Sequence, residues 1–230
     1  KMSMPEGHPY DRSWTSEFHR DVTNRTTYRA ATAEFFGTAL LLFFVCLLRY
    51  AGLDVFSFAL GYGSVVSATG YFAHIISGSH FNPAITLAYI VTKNVRLGRG
   101  LLYMLAQITG GCVGSAIVLH VVESCPTMIK IATQGWVVML LEATVVFLVV
   151  LTIFATAIDP QGHPTITPLA SGIAIAAGTM ICFTKTGAFF NPVVFMAPNV
   201  ACGGSWSMVW AYVCGPFIGA VLAGPLYQVV

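Results

Sequence analysis

The chain has 230 residues, 56% hydrophobic and only 9% charged, and its mean hydropathy is +0.76. A soluble domain carries about 25% charged residues, so the composition points to a polytopic membrane protein instead. The net charge of +2 comes from eleven scattered Lys and Arg against nine Asp and Glu, which leaves no basic patch for a nucleic acid.

Residues 1–30 read as a cytoplasmic tail. Residues 1–29 are polar and charged and lack the apolar core of a cleavable signal peptide. Trp14, Phe18 and Val22 recur at four-residue spacing among Arg12, Glu17, Arg20 and Asp21. That pattern fits either a helix lying on the membrane surface or a solvated tail. Asn24-Arg25-Thr26 spells a glycosylation acceptor, but the charge topology below puts it on the cytoplasmic side.

Residues 31–230 form one membrane domain in two halves, about 31–125 and 135–230. A spanning helix needs roughly 20 apolar residues. Stretches at about 31–51, 55–76, 98–122, 136–158, 165–184 and 206–229 qualify. Gly110 with Gly114, and Gly215 with Gly219, are small-residue pairs of the kind that lets helices approach closely. Two shorter apolar segments, Phe81–Thr92 and Phe190–Val200, follow the second and fifth spans, and each opens at Asn-Pro. Pro is favoured in the first turn of a helix. They read either as interfacial loops or as half-helices that enter the membrane and stop midway, which is allowed only where backbone is buried in protein or lines water.

The positive-inside rule sets the orientation. Lys1, Arg12, Arg20, Arg25, Arg29, Lys93, Arg96 and Arg99 share one side, and Arg49, Lys130 and Lys185 the other. Both termini therefore face the cytoplasm. Glu34 precedes Asn82 by 48 residues and Glu142 precedes Asn191 by 49, so the halves repeat with opposite topology. An acidic side chain inside a span needs a partner. Glu34 and Glu142 are either ion carriers or acceptors for the irregular backbone ahead of each half-helix.

Of the six cysteines, Cys46, Cys112, Cys182 and Cys214 lie in apolar stretches, whereas Cys125 and Cys202 lie in loops on one side, where a disulfide is open. No cysteine or histidine spacing suggests a metal, and no cofactor motif is present. No nucleophile-base pair or phosphate loop suggests an enzyme. His163 beside Asp159 is a candidate pH-sensing pair in a cytoplasmic loop.

The run Ser77-Gly78-Ser79-His80-Phe81-Asn82-Pro83-Ala84-Ile85-Thr86 resembles the first signature of the aquaporin (major intrinsic protein) family, and Thr186-Gly187-Ala188-Phe189-Phe190-Asn191-Pro192-Val193 resembles the second. Ala33-Glu34-Phe35-Phe36-Gly37-Thr38, Ala106-Gln107 and Gly215-Pro216-Phe217-Ile218-Gly219-Ala220 match further landmarks. The resemblance implies an all-α membrane protein with six transmembrane helices and two re-entrant half-helices in an hourglass, one pore per chain, in a homotetramer embedded in membrane lipid. It places Asn82, Pro83, Ala84, Asn191, Pro192 and Val193 at the pore centre. It also makes His80 a support of the first half-helix.

The family's outer constriction maps by position onto Tyr62, Thr179, Ala188 and Val194. Water channels usually carry His at the second position and Arg at the fourth; here they are Thr179 and Val194. Val supplies neither charge nor donors. The set is similar to broad-range vacuolar channels in its last two members. Val193 replaces the usual Ala, and Phe189 stands where the family often has Gly. Its ring either packs behind the carbonyl or turns inward and closes the pore.

Three readings follow. The first is a passive channel for water, with small neutral solutes. The second is a facilitator mainly of glycerol, urea, peroxide or ammonia. The third is a junctional or scaffold membrane protein with a closed pore. An ion-coupled transporter is disfavoured, because no acidic or basic residue sits near Asn82 or Asn191 in the sequence.

Overall fold

A computed structural model describes residues 14–124 and 133–230. Among them the chain is helical: α1 Trp14–Thr23, α2 Arg25–Tyr50, α3 Val55–Ser77, α4 Pro83–Val91, α5 Leu97–Val122, α6 Gly135–Ile153, α7 Thr167–Thr186, α8 Pro192–Cys202 and α9 Val209–Val229. A π-helical turn, Phe154–Ile158, extends α6, and a 3-10 turn, Pro164–Ile166, leads into α7. The candidate disulfide involves Cys125, which lies outside the described residues; Cys202 itself is disulfide-bonded.

Five of the described helices are long and apolar enough to cross a membrane: α2, α5, α6 with its π-turn, α7 with its 3-10 turn, and α9. The sixth expected span, α3, has 23 residues, or roughly 34 Å at 1.5 Å per residue. Its length suffices. Ser57, Ser64, Ser67, Thr69, Tyr62, Tyr71 and His74 make it the least apolar of the six. The first span starts at Arg25, earlier than hydropathy alone suggests, because Asn24 caps it by accepting from the Thr26 N–H at 2.9 Å. The amphipathic tail segment is helical as α1, tied to the start of α5 by Arg96 and Asp21 at 3.2 Å.

The outer surface is apolar like the core, and a few polar side chains are buried. Ile75, Leu105, Ile181 and Leu222 face outward, while Glu34, Gln107 and Glu142 are fully buried. The helices approach through the small residues. A Cβ on Gly110 would lie 2.2 Å from the Phe35 carbonyl oxygen, and one on Gly114 2.2 Å from that of Ala39. In the second half, Gly219 meets the Ala143 carbonyl at 2.1 Å by the same measure. So α2 packs on α5 as α6 packs on α9. Gly63 and Gly172 bring α3 and α7 together, and a Cβ on Gly63 would lie 2.4 Å from the Gly172 oxygen.

One face of the bundle holds the chain's end. There the Gln228 side chain donates to the Thr92 carbonyl at 3.0 Å, and the Tyr227 hydroxyl donates to Asp159 at 2.7 Å. Arg49 and the Gly187 turn lie on the opposite face. The half-helices α4 and α8 start inside the bundle, and α4 ends at the first face.

Candidate functional site

Each half-helix begins at a backbone that most residues avoid. Gly78 and Gly187 have φ of 93° and 83°, and end α3 and α7 in the left-handed region. Ser79, Phe81, Ala188 and Phe190 also have positive φ, between 47° and 55°. A non-glycine residue held there costs about 1–2 kcal/mol. The alternation turns successive carbonyls away from the helix pattern, so their oxygens and N–H groups need partners from elsewhere.

The two buried carboxylates supply them. Glu34 accepts from the Ser77 hydroxyl, the His80 N–H at 3.0 Å, the Phe81 N–H at 2.7 Å and the Gln107 amide at 2.7 Å. Glu142 accepts from the Thr186 hydroxyl at 2.6 Å, the Phe189 N–H at 3.2 Å and the Phe190 N–H. Of the two readings open from sequence, the geometry is that of an acceptor for irregular backbone. Tyr103 and Tyr212 add the same bond in each half, donating to the carbonyls of Ser77 and Thr186. The counterparts stand 109 residues apart: 77 and 186, 82 and 191, 103 and 212.

The halves then diverge. His80 binds Thr86 through Nδ1 at 3.1 Å, Thr86 accepts from Gln107 at 2.9 Å, and the imidazole packs on Tyr89 at 4.2 Å. The corresponding residues of the second half are Phe189, Phe195 and Pro216. There the packing is apolar. The Phe189 ring meets Phe195 edge-on at 5.2 Å and Tyr212 at 4.9 Å. The ring thus packs behind its own carbonyl.

Asn82 and Asn191 are N-caps. Their Oδ1 atoms accept from the Ala84 and Val193 N–H groups, each at 2.9 Å, and Pro83 and Pro192 open the helices. Their amide nitrogens cross over. Asn82 Nδ2 donates to the Phe190 carbonyl at 2.9 Å, and Asn191 Nδ2 to the Phe81 carbonyl at 2.7 Å. The two helix N-termini therefore meet head to head, each equivalent to about half a positive charge. Val193 is accommodated by Gly111 of α5: a Cβ there would lie 2.3 Å from Val193 Cγ1.

A cavity of about 60 Å3 leads to this junction from the face that holds the chain's end. Pro168, Ser171, His80, Asn82, Asn191 and Tyr62 line it. Thr179, Ala188, Phe189 and Val194 are buried. Four consecutive carbonyls there are occupied by donors from three elements. Arg49 takes Gly187 at 2.8 Å and Ala188 at 3.2 Å, Tyr62 takes Phe189 at 2.9 Å, and Asn82 takes Phe190 at 2.9 Å.

Arg49 escapes a reading by motif, because it lies 142 positions before Asn191 on another helix. The available signal was a lone cation at the end of an apolar span, which requires a partner. Sequence distance alone thus understates the charge near the half-helices. Among the described residues no cluster of His, Cys, Asp and Glu fits a metal ion.

Residues 21–227 match the family model described as Major intrinsic protein. The chain is 33% identical over 234 residues to a probable aquaporin TIP1-1 of Oryza sativa subsp. japonica, covering 92% of this chain and 90% of that protein. It is 37% identical over 158 residues to a probable TIP-type aquaporin of Medicago truncatula, covering 67% of this chain and 63% of that protein, just under two thirds. Against aquaporin-4 of Homo sapiens it is 32% identical over 229 residues, covering 92% and 70%. The solved structure of the aquaglyceroporin from Plasmodium falciparum superposes with a TM-score of 0.76 at 19% identity, over 89% of this chain and 100% of that one, which shows a common fold.

Proposed function

The chain belongs to the major intrinsic protein family, and we propose that it is a passive membrane channel for water and small neutral solutes, with its selectivity set at Asn82, Asn191 and the constriction beyond them. The observation that carries this reading is the head-to-head meeting of the two half-helices at the end of the cavity. Each Asn amide has one N–H engaged in the crossed bond and a second for an acceptor oxygen. A neutral molecule with such an oxygen is stabilised there, whereas a cation meets two positive helix ends. Exclusion of cations by half-helix dipoles is the established behaviour of aquaporin-type pores and is carried over to this chain.

Thr179, Ala188 and Val194 are small or apolar, which favours passage of urea or peroxide beside water over strict water selectivity. The termini face the cytoplasm by the excess of Lys and Arg on their side. The chain works as a homotetramer in membrane lipid, with one pore per subunit. Stopped-flow volume change of proteoliposomes under water, glycerol and urea gradients tests the reading. Faster water flow than in empty vesicles supports it, and flow no faster for any of the three leaves the scaffold reading.

A further inference from the structure

We propose that Arg49, on α2, is the specificity-determining cation of the outer constriction, standing in for the charge that position 194 lacks. This rests on the channel reading above and deepens it. The side chain reaches across from the first span to the loop ahead of α8, where Nη2 donates to the Gly187 and Ala188 carbonyls at 2.8 and 3.2 Å. Ala188 is itself a constriction position. The guanidinium lies 4.2 Å from the centre of the Phe189 ring and 5.0 Å from that of Phe58. Phe58 is one turn from Tyr62 on α3, and Tyr62 holds the next carbonyl in the series. Arg49 therefore bonds one constriction position, Ala188, and packs on the ring one turn from another, Tyr62.

Three features separate this arrangement from a merely structural arginine. First, the side chain is buried, and among the described residues no carboxylate forms an ion pair with it. Its charge is met by main-chain oxygens and, from beyond ion-pair distance, by Glu142, and a cation held in a membrane interior is a candidate functional position. Second, its buried Nε has no hydrogen-bond partner in the chain. One N–H of the fork is left for an acceptor outside the chain, such as a solute oxygen. Third, the repeat equivalent of Phe189 is His80, whose imidazole has its own polar partner in Thr86. In the second half the Phe189 ring lies under Arg49, whereas in the first the cation Arg99 lies over Tyr103, 5.3 Å from its centre, and not over the residue at the Phe189 position. A guanidinium suits this place: it is planar, stacks on aromatic rings and offers donors in a fixed fork. By occupying two carbonyls it also removes acceptors that would coordinate a passing cation.

The site has the chemistry of a guanidinium receptor, so the test is chemical rescue. The full chain, Arg49→Ala and Arg49→Lys are reconstituted in vesicles, with monodisperse elution as the criterion of folding. Urea entry is then followed with and without millimolar guanidinium on both sides. Urea flux through Arg49→Ala is expected to exceed the wild type by about tenfold, because the side chain and its charge are gone. Guanidinium, the cationic isostere of urea, is expected to return that flux toward the wild-type value and to leave the wild type unchanged. Arg49→Lys, which keeps the charge, is expected to fall between the two and to respond less. If folded Arg49→Ala admits urea no faster than the wild type, or if guanidinium slows neither variant or slows the wild type equally, the inference is wrong while the channel reading stands. If the wild type and both variants pass no more water or urea than empty vesicles, both are wrong.

Discussion

The Tyr62 hydroxyl donates to the Phe189 carbonyl at 2.9 Å, and the same tyrosine lines the cavity at the half-helix junction. The bond joins the middle of α3 to the loop ahead of α8, beside the half-helix junction. Removing the hydroxyl by Tyr62→Phe leaves the carbonyl needing a donor, which water supplies. Water permeability of reconstituted Tyr62→Phe is expected to rise about threefold, with a stability loss of about 1 kcal/mol for the bond. An unchanged or lower permeability would mean that Tyr62 does not limit flow.

Glu142 holds the loop that presents the carbonyl series. Glu142→Ala strands the Thr186 hydroxyl and the N–H groups of Phe189 and Phe190. Each buried donor left unmade costs about 1–3 kcal/mol, and the positive-φ residues it steadies lose their restraint. Thermal unfolding in detergent should show a large loss for Glu142→Ala and a smaller one for Glu142→Gln, which keeps one acceptor oxygen. Glu34→Ala, which strands four donors, should be at least as damaging. Equal stability of the Ala and Gln variants would argue against the acceptor role.

Close helix approach gives a third expectation. A Cβ at Gly219 would sit 2.1 Å from a backbone oxygen of Ala143, which cannot rotate away. Gly219→Ala is expected to cost about 1–3 kcal/mol by forcing α9 off α6. Ile75→Ala, at a side chain 93% exposed on the outer surface, is expected to change stability little. A melting temperature for Gly219→Ala as high as that of Ile75→Ala would contradict the packing argument.

Much of this architecture is legible in the sequence because hydropathy and repeat spacing are local, one-dimensional signals. The spans, both half-helices and the paired acids Glu34 and Glu142 all lie where that pattern puts them. Two things are not legible. One is carbonyl direction: the positive φ of Ser79, Phe81, Ala188 and Phe190 is carried by residues that do not require it, and only glycine announces that region. The other is Arg49. Its partners are main-chain oxygens far along the chain, and a backbone acceptor leaves no mark in the residue types. The absence of Arg at 194 is visible in sequence, but a guanidinium supplied from another helix is not.

That substitution leads to a test by exchange. Val194 lies in the first turn of α8, buried, at the position from which the family's arginine usually projects. If the constriction needs one guanidinium, and the helix supplying it is secondary, then the double variant Arg49→Val with Val194→Arg restores what Arg49→Val loses. Urea entry should be fast in Arg49→Val and near the wild-type rate in the double variant. Val194→Arg alone puts two guanidinium groups into one dry space, with no carboxylate paired to Arg49 among the described residues. Like charges that close repel strongly at low dielectric. That single variant should therefore lose both water flow and thermal stability, and the cycle should be far from additive, as expected for groups in contact. A double variant that admits urea as fast as Arg49→Val would show that position 194 does not face the space Arg49 fills, and that the second half-helix no longer contributes a side chain to selection.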